Sequence, residues 1–233
     1  IYSLSELLHE LFEDKLRIVV TGTHGKSTTT AMLGKALQSI DDSSFMTGAV
    51  LINENRNFYN GDGHYVVFEG DEYKALYDDP TPKFQQYKPD MVLLTNLEFD
   101  HPDMYSSLEE IAAEFEEMIN NMPQDGVVVY NSDNPELVKI MHKNNLGQIS
   151  FGIDHPANFV GSNIITEQTQ TIFDVTYKDK VEQYQINVFG KINVYNNLGA
   201  IALLRTLGFS QEQVQEGLFS YHGIKRRFEF MGE

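Results

Sequence analysis

The glycine-rich segment at residues 22–29 constrains the fold more than any other part of the chain. It reads Gly-Thr-His-Gly-Lys-Ser-Thr-Thr and follows a short apolar run at 16–21 that suits a buried parallel strand. A helix is predicted over 27–37, with its apolar residues on one face. Strand, glycine turn and helix in this order are typical of a phosphate-binding loop. The alternative, an ordinary strand-to-helix turn of small residues, is disfavoured by these flanking elements.

The loop carries the side chains that nucleotide binding requires. Gly25, Lys26 and Ser27 supply the Gly-Lys-Ser core of a Walker A loop. Backbone N–H groups at the helix start cradle phosphate, the lysine reaches the β- and γ-phosphates, and the serine hydroxyl faces Mg²⁺. The usual glycine five residues before the Gly-Lys pair is Val20 here, and Gly22 lies three residues before Gly25. The sequence therefore predicts a shortened variant of this loop.

Strands and helices alternate along most of the chain, which predicts an α/β fold with a mostly parallel sheet flanked by helices. Residues 157–190 differ, because three short strand patterns there predict a small antiparallel sheet attached to the main one. The remaining predicted strands are 65–68, 91–95, 126–130 and 149–151, and the remaining predicted helices are 4–14, 107–121, 135–142, 194–207 and 211–219.

Acidic clusters follow two of the predicted strands. Glu69-Gly70-Asp71-Glu72 comes directly after strand 65–68, and the segment 96–101 with Glu98, Asp100 and His101 follows strand 91–95. The carboxyl ends of parallel strands meet at the sheet edge where ligands bind. Because a magnesium–nucleotide site needs oxygen ligands beyond the loop hydroxyl, both clusters are candidates. The alternative is that they are solvated loop charges.

Composition excludes several function classes. The net charge of −17 argues against a nucleic-acid partner, which would need a basic surface. The chain has no cysteine, so disulfides and thiolate metal sites are excluded, and it has no apolar run of the roughly 18 residues that a membrane span requires. These features predict a cytoplasmic protein. Four other histidines match no compact set of metal ligands: His64, His142, His155 and His222.

Five ordered segments resemble motifs of the Mur ligases, which build the peptide stem of bacterial cell-wall precursors. Together they extend over nearly the whole of residues 17–233 and make chance similarity very improbable. The segments are Gly22–Thr29 (the ATP loop), Glu69–Tyr73 (family motif EADE), Thr95–His101 (TNxxxDH), Gly190–Asn196 (GxHNxxN) and Gly223–Glu229 (GxxRRFE).

The resemblance implies a role for each matching residue. ATP would be held by the loop residues Gly22, Thr23, His24, Gly25, Lys26, Ser27 and Thr28, by Asn193 and Asn196 near the adenine, and by Arg227 at the phosphates or ribose. Two Mg²⁺ ions are implied, with Ser27 and Glu69 on the first and Glu69 and His101 bracketing the second. Lys26, Glu69 and His101 would therefore form the catalytic set. Ile192 replaces the histidine of GxHN, which removes any contact made by that imidazole.

The family reaction converts a carboxylate into an acyl phosphate with ATP, and an amine then forms the amide. The predicted helix 107–121 contains no lysine, whereas several Mur ligases carry a carbamylated lysine beyond the DH motif. This points to the branch that uses UDP-N-acetylmuramate, joined either to L-alanine or to a recycled tripeptide. Residues 71–84 and 96–101 favour the tripeptide.

The resemblance also implies a domain organisation. Residues 1–16 are expected to be a linker helix from a missing N-terminal UDP-sugar domain, residues 17–233 the central ATP-binding domain, and a C-terminal domain that brings the amine is expected to be absent. The chain alone should then bind nucleotide without forming amide bonds. A different class remains open, namely a P-loop nucleotide-binding module that is not a ligase.

Overall fold

The computed structural model describes residues 2–74, 81–100, 105–167 and 170–226. The elements alternate as expected for an α/β fold. The helices are α1 Leu4–Leu11, α2 Lys26–Asp41, α3 Lys83–Gln86, α4 Leu108–Asn120, α5 Pro135–His142, α6 Lys191–Thr206 and α7 Gln211–Phe219. The strands are β1 Leu16–Thr21, β2 Ser44–Met46, β3 Phe58–Tyr59, β4 Tyr65–Glu69, β5 Met91–Leu94, β6 Val127–Asn131, β7 Gly147–Gly152, β8 Phe159–Thr166, β9 Thr171–Tyr177 and β10 Lys180–Ile186.

The described strands form one sheet in the order β10-β9-β8-β7-β6-β5-β1-β4-β2-β3. Strand β1 lies between β4 and β5 and is parallel to both. Strands β2, β3 and β4 therefore all lie on one side of β1, with β4 next to it, and the chain then crosses to the other side at β5. In open parallel sheets such a switch in direction opens a crevice at the carboxyl ends of the strands. The loop at 22–25 leaves β1 at this crevice.

Helices cover the sheet on both faces. Successive residues of a strand point to opposite faces, so the apolar strands need a layer of helices on each side. Ile18 and Val20 pack with α2, α6 and α7 in one core, whereas Val19 packs with α4 and α5 in the other. Strands buried on both sides need continuous apolar runs, and this requirement made β1, β4 and β5 recognisable in the sequence. None of the helices in the described ranges has the length and apolar character needed to cross a bilayer.

The predicted antiparallel strands are confirmed, and they continue the main sheet. Strand β8 pairs in parallel with β7 through Phe151–Phe159 and Gly152–Val160, and β9 and β10 then add antiparallel. Three short elements were not predicted: β2, β3 and α3. They have two to four residues, too few to show a periodic pattern.

Helix α1 ends at Leu11, three residues earlier than predicted, and exposes part of its apolar face. Leu4, Leu7 and Leu11 are all largely solvent-accessible. Ser3 caps the helix, and its hydroxyl donates to Gln86 Oε1 at 2.6 Å. Ser5 is buried and Leu8 packs against the core, so amphipathic periodicity predicted the helix but not which of its leucines are buried.

Candidate functional site

The phosphate-loop candidate joins β1 to α2 and depends on two glycines with positive φ. Gly22 has φ +133° and Gly25, the N-cap of α2, has φ +84°. L-amino acids with a side chain rarely adopt such angles, so glycine is needed at both positions. Among the described residues no side chain caps α2, and its first turn contains no acidic residue. Uncapped N–H groups at a helix N-terminus suit an anion, so the loop fits a phosphate group.

Lys26 folds back over this loop. Its ammonium donates to Gly22 O at 2.8 Å and Thr23 O at 3.1 Å, and it forms an ion pair with Glu72 at 2.9 Å. Both charged side chains are largely buried, with exposed fractions of 14% and 5%. The only cationic side chain within residues 22–29 is therefore held at the loop itself.

The carboxyl end of β4 brings Glu69 to the loop. Ser27 Oγ donates to Glu69 Oε1 at 2.7 Å. The second carboxylate oxygen accepts from Thr47 Oγ1 at 2.8 Å and from the backbone N–H of Gly48 at 2.6 Å. A hydroxyl and a carboxylate in direct contact are the hard oxygen donors that Mg²⁺ prefers. These residues therefore fit a magnesium ion bound next to a phosphate.

The carboxyl end of β5 fixes the shape of the loop from the other side. Asn96 accepts twice, from the N–H of Thr23 through its backbone oxygen at 3.2 Å and from the N–H of His24 through Oδ1 at 2.8 Å. Thr95 Oγ1 donates to His24 O at 2.7 Å, and Thr23 Oγ1 donates to Glu98 O at 3.0 Å. Three strands thus converge on one short loop, as the topology requires.

Helix α6 lies directly against the loop. A Cβ atom on Gly25 would come within 2.7 Å of Asn196 Oδ1, so the two residues are in close contact. Asn193 is buried, and its amide donates to Phe189 O at 2.8 Å, which closes the first turn of the helix. Ile192 is 52% exposed at the same end of α6. An apolar side chain thus faces solvent in the first turn of α6.

A family model described as "Mur ligase middle domain" matches residues 20–204, which is most of the chain. The chain belongs to the Mur ligase family. It contains the ATP-binding middle domain of such a ligase, the part in which the loop, Glu69 and Asn196 meet. The match confirms the resemblance inferred from the motifs.

Individual Mur ligases are similar to the chain over nearly its whole length. UDP-N-acetylmuramate–L-alanine ligase from Desulfitobacterium hafniense is 33% identical and aligns with 100% of this chain and 50% of its own length. The chain thus spans about half the length of this relative. Murein peptide ligase from Psychrobacter arcticus has a TM-score of 0.83 at 28% identity, covering 99% of this chain and 52% of that one. UDP-N-acetylmuramate–alanine ligase from Thermotoga maritima has a TM-score of 0.80 at 25% identity, covering 97% and 50%.

Asp133, which follows β6, connects this Mur ligase domain's α6 to the loop between β7 and β8. Its carboxylate accepts from the N–H groups of residues 153–155 at 2.7–2.9 Å and from Tyr195 OH at 2.8 Å. Burial raises the pKa of Asp133, but these hydrogen bonds outweigh burial and keep it below the usual value. Burial and the adjacent carboxylate raise the pKa of Tyr195, so its hydroxyl stays a donor. Asp133 therefore fixes the helix that carries Asn196.

Asp133→Asn is expected to lower the free energy of unfolding by about 1–3 kcal/mol at pH 7, because buried donors lose a charged acceptor. A carboxylate whose folded pKa is depressed stabilises the fold above its unfolded pKa, near 3.9, and loses this effect as the pH falls through the folded pKa. The difference from the unmodified chain should therefore shrink below about pH 4. Urea unfolding at pH 7 and at lower pH measures it.

Asp125→Asn is the matched control for this substitution, because Asp125 is exposed. It should change the free energy of unfolding by no more than about 0.5 kcal/mol at either pH. An undiminished Asp133→Asn effect at low pH would show that the side-chain shape matters, and not its charge.

The structure brings most predicted site residues together and leaves two outside its described part. Residues 22–28, Glu69 and Asn196 meet at the carboxyl edge of β1, β4 and β5. His101 and Arg227 lie outside the described residues. Sequence reasoning gave no role to Thr47, Gly48 or Asp133. It placed Glu72 only within an acidic cluster that was a candidate for binding magnesium, whereas the structure pairs Glu72 with Lys26.

Proposed function

We propose that the protein containing this chain is an ATP-dependent ligase that joins an amine to the carboxylate of UDP-N-acetylmuramate. One observation carries the proposal: Ser27 Oγ lies 2.7 Å from Glu69 Oε1, beside a loop whose lysine is buried at the same place. A hydroxyl, a carboxylate and an ammonium are thus grouped at the start of α2. Together they suit a magnesium–nucleotide complex and phosphoryl transfer from it.

The chain's own residues would bind and orient the nucleotide. Lys26 and the N–H groups at the start of α2 would hold the phosphates, and Ser27 and Glu69 would hold Mg²⁺, which neutralises developing charge when bound. The substrate carboxylate attacks the γ-phosphorus and ADP leaves. The amine then attacks the acyl carbon and inorganic phosphate leaves. No protein nucleophile is needed, which agrees with the lack of cysteine.

Membership of the Mur ligase family favours this proposal over a nucleotide-binding module that forms no amide bond. The parts that bind the UDP-sugar and the amine are proposed to be separate domains, with residues 1–16 as a linker before the ATP-binding unit. His101 is proposed as a second magnesium ligand and Arg227 as a nucleotide contact, following the family motifs. A cytoplasmic location also remains a proposal.

The proposed amine is the tripeptide, because residues 71–84 and 96–101 resemble the tripeptide-using branch. Part of that stretch, 75–80, lies outside the described residues. L-alanine is the second candidate, since curated relatives at 31–34% identity carry the name UDP-N-acetylmuramate–L-alanine ligase. Two solved murein peptide ligases at 27–28% identity favour the tripeptide.

The protein containing this chain should form an amide product from Mg-ATP, UDP-N-acetylmuramate and tripeptide, with a smaller kcat/KM for L-alanine. Glu69→Gln should lower kcat/KM by about 100-fold or more, which corresponds to roughly 3 kcal/mol of lost transition-state stabilisation. Mass spectrometry of the product and release of inorganic phosphate are the two measurements.

The 233 residues alone should bind Mg-ATP without ligation, because aligning the reacting groups supplies about 7–11 kcal/mol of the barrier.

Glu10→Gln serves as the control, because it makes the same exchange on the exposed side of α1 and should leave the rate unchanged. ATP hydrolysis without amide product, with either amine, would favour a nucleotide-binding module instead. A larger kcat/KM for L-alanine would reverse the order of the two amine candidates.

A further inference from the structure

Glu72 is a buried carboxylate at the nucleotide loop for which the proposed reaction provides no role. It follows β4 by three residues, and its side chain is only 5% exposed. Its two carboxylate oxygens lie 2.9 and 3.1 Å from Lys26 Nζ. Its backbone carbonyl accepts from the Tyr105 hydroxyl at 2.8 Å, in a buried contact. Glu72 is thus fixed through its main chain while its side chain contacts the loop lysine.

The contacts of Lys26 account for its whole hydrogen-bonding capacity. An ammonium has three N–H donors. Here they meet Gly22 O, Thr23 O and the Glu72 carboxylate. A phosphate group that binds Lys26 must therefore share the ammonium with Glu72 or displace it. Because two anions close to one cation repel each other in a poorly solvated place, sharing has an energetic cost.

We propose that Glu72 is the counter-ion with which nucleotide phosphates compete for Lys26, and that it thereby sets nucleotide affinity. The inference rests on the proposed function of the loop as the phosphate site. Glu72 and Glu69 add two negative charges to a site meant for an anion. A metal-free nucleotide is opposed more strongly than its magnesium complex, because the magnesium ion cancels part of the phosphate charge. Glu72 thus makes the loop selective for nucleotide that arrives with its metal.

Glu72→Gln tests this directly, because it removes the charge and keeps nearly the same shape. The variant should bind Mg-ATP at least about 5-fold more tightly in calorimetry, and should gain more for ATP in EDTA. In a Lys26→Gln background the same substitution should change affinity by less than about 2-fold, since a pairwise effect disappears when its partner is removed. Glu72→Asp shortens the side chain by one methylene and so moves the carboxylate away from Lys26. It should give a gain in Mg-ATP affinity between those of the unmodified chain and Glu72→Gln.

Glu116→Gln is the matched control. Glu116 also pairs with a lysine, Lys143, but it lies on α4, across the sheet from α2. This variant should leave nucleotide affinity unchanged. Circular dichroism checks that each variant is folded. If Glu72→Gln does not fold, the nucleotide affinity of Glu72→Asp tests the inference.

Several outcomes would overturn the inference. Unchanged or weaker binding by Glu72→Gln would mean that Glu72 does not compete with phosphate, and a loss seen only with magnesium would make it a metal ligand. Equal tightening in the Lys26→Gln background would mean that Glu72 acts without the lysine. If the unmodified chain bound no nucleotide, the proposed function would fail together with this inference. Normal binding by that chain with no effect of Glu72→Gln would refute the inference alone.

Discussion

Lys26→Ala is expected to weaken binding of Mg-ATP by about 100-fold, because charged hydrogen bonds contribute roughly 1.5–3 kcal/mol each. The lysine is the only cationic side chain within residues 22–29 and lies at the start of α2. Removing it leaves the backbone N–H groups and the side-chain hydroxyls of the loop to bind phosphate. Isothermal titration calorimetry of the 233-residue chain measures the loss.

The same substitution should also destabilise the fold. It removes the ion pair that Lys26 forms with Glu72, whose side chain is 5% exposed. Breaking a buried pair by removing one side costs about 3–5 kcal/mol, and the 14% exposure of Lys26 reduces this to roughly 2–4 kcal/mol. Lys26→Ala combined with Glu72→Gln should recover much of the stability, because the buried carboxylate charge that faced Lys26 is removed as well. It should not restore Mg-ATP affinity to that of the unmodified chain.

Lys139→Ala is the control for both measurements. Lys139 pairs with Glu136 on α5 and is 66% exposed, so its removal should change neither affinity nor stability measurably. Unchanged Mg-ATP affinity in Lys26→Ala would refute the assignment of the phosphate loop. A stability loss that persists in the double variant would show that the aliphatic part of Lys26, and not its charge, supports the fold.

The sequence predicted the centre of the sheet and the loop because both depend on local patterns. Strands β1, β4 and β5 each carry a continuous apolar run, since both faces of the sheet are covered there. Gly22 and Gly25 were recognisable because the backbone has positive φ at both positions, and glycine adopts such angles more readily than other residues. These features fixed the α/β class and the edge of the sheet at which Glu69 was expected.

The second layer of the site depends on contacts between distant segments. Thr47 and Gly48 reach Glu69 because β2 pairs with β4, and a strand of three residues has no recognisable pattern. The ion pair between Lys26 and Glu72 joins residues 46 positions apart. The contact of Asn196 with Gly25 requires α6 to cross the loop. No periodic pattern of nearby residues indicates these contacts. The motifs could therefore suggest which residues belong to the site, but not which residues they contact.

Gly22→Ala is expected to lower the free energy of unfolding by about 2–5 kcal/mol, the sum of a backbone cost and a packing cost. Gly22 has φ +133°, an angle that alanine rarely adopts. A Cβ atom there would lie 2.2 Å from Thr95 Oγ1 and 2.7 Å from Asn96 O. The backbone at the end of β5 would have to move. Thermal unfolding followed by circular dichroism should show a fall in Tm of about 5–15 °C.

Gly208→Ala separates the two costs. Gly208 also has a positive φ, +95°, but a Cβ atom there would meet nothing within 4 Å. Its substitution should therefore show the backbone cost alone, about 1–2 kcal/mol. Equal losses of unfolding free energy in the two glycine variants would mean that the end of β5 can move without cost. The close approach of the Cβ atom to Thr95 and Asn96 would then not destabilise the fold.

The two variants should also differ in nucleotide affinity at temperatures where both remain folded. Asn96, which the new Cβ would displace, accepts hydrogen bonds from the N–H groups of Thr23 and His24 and so holds the loop in shape. Adding Thr95→Ala to Gly22→Ala removes the contact at 2.2 Å but leaves the one with Asn96 O and also removes the hydrogen bond from Thr95 to His24 O, so stability should recover only in part. Affinity should stay low in that double variant and remain normal in Gly208→Ala, because the position of the Asn96 backbone decides where the loop N–H groups point.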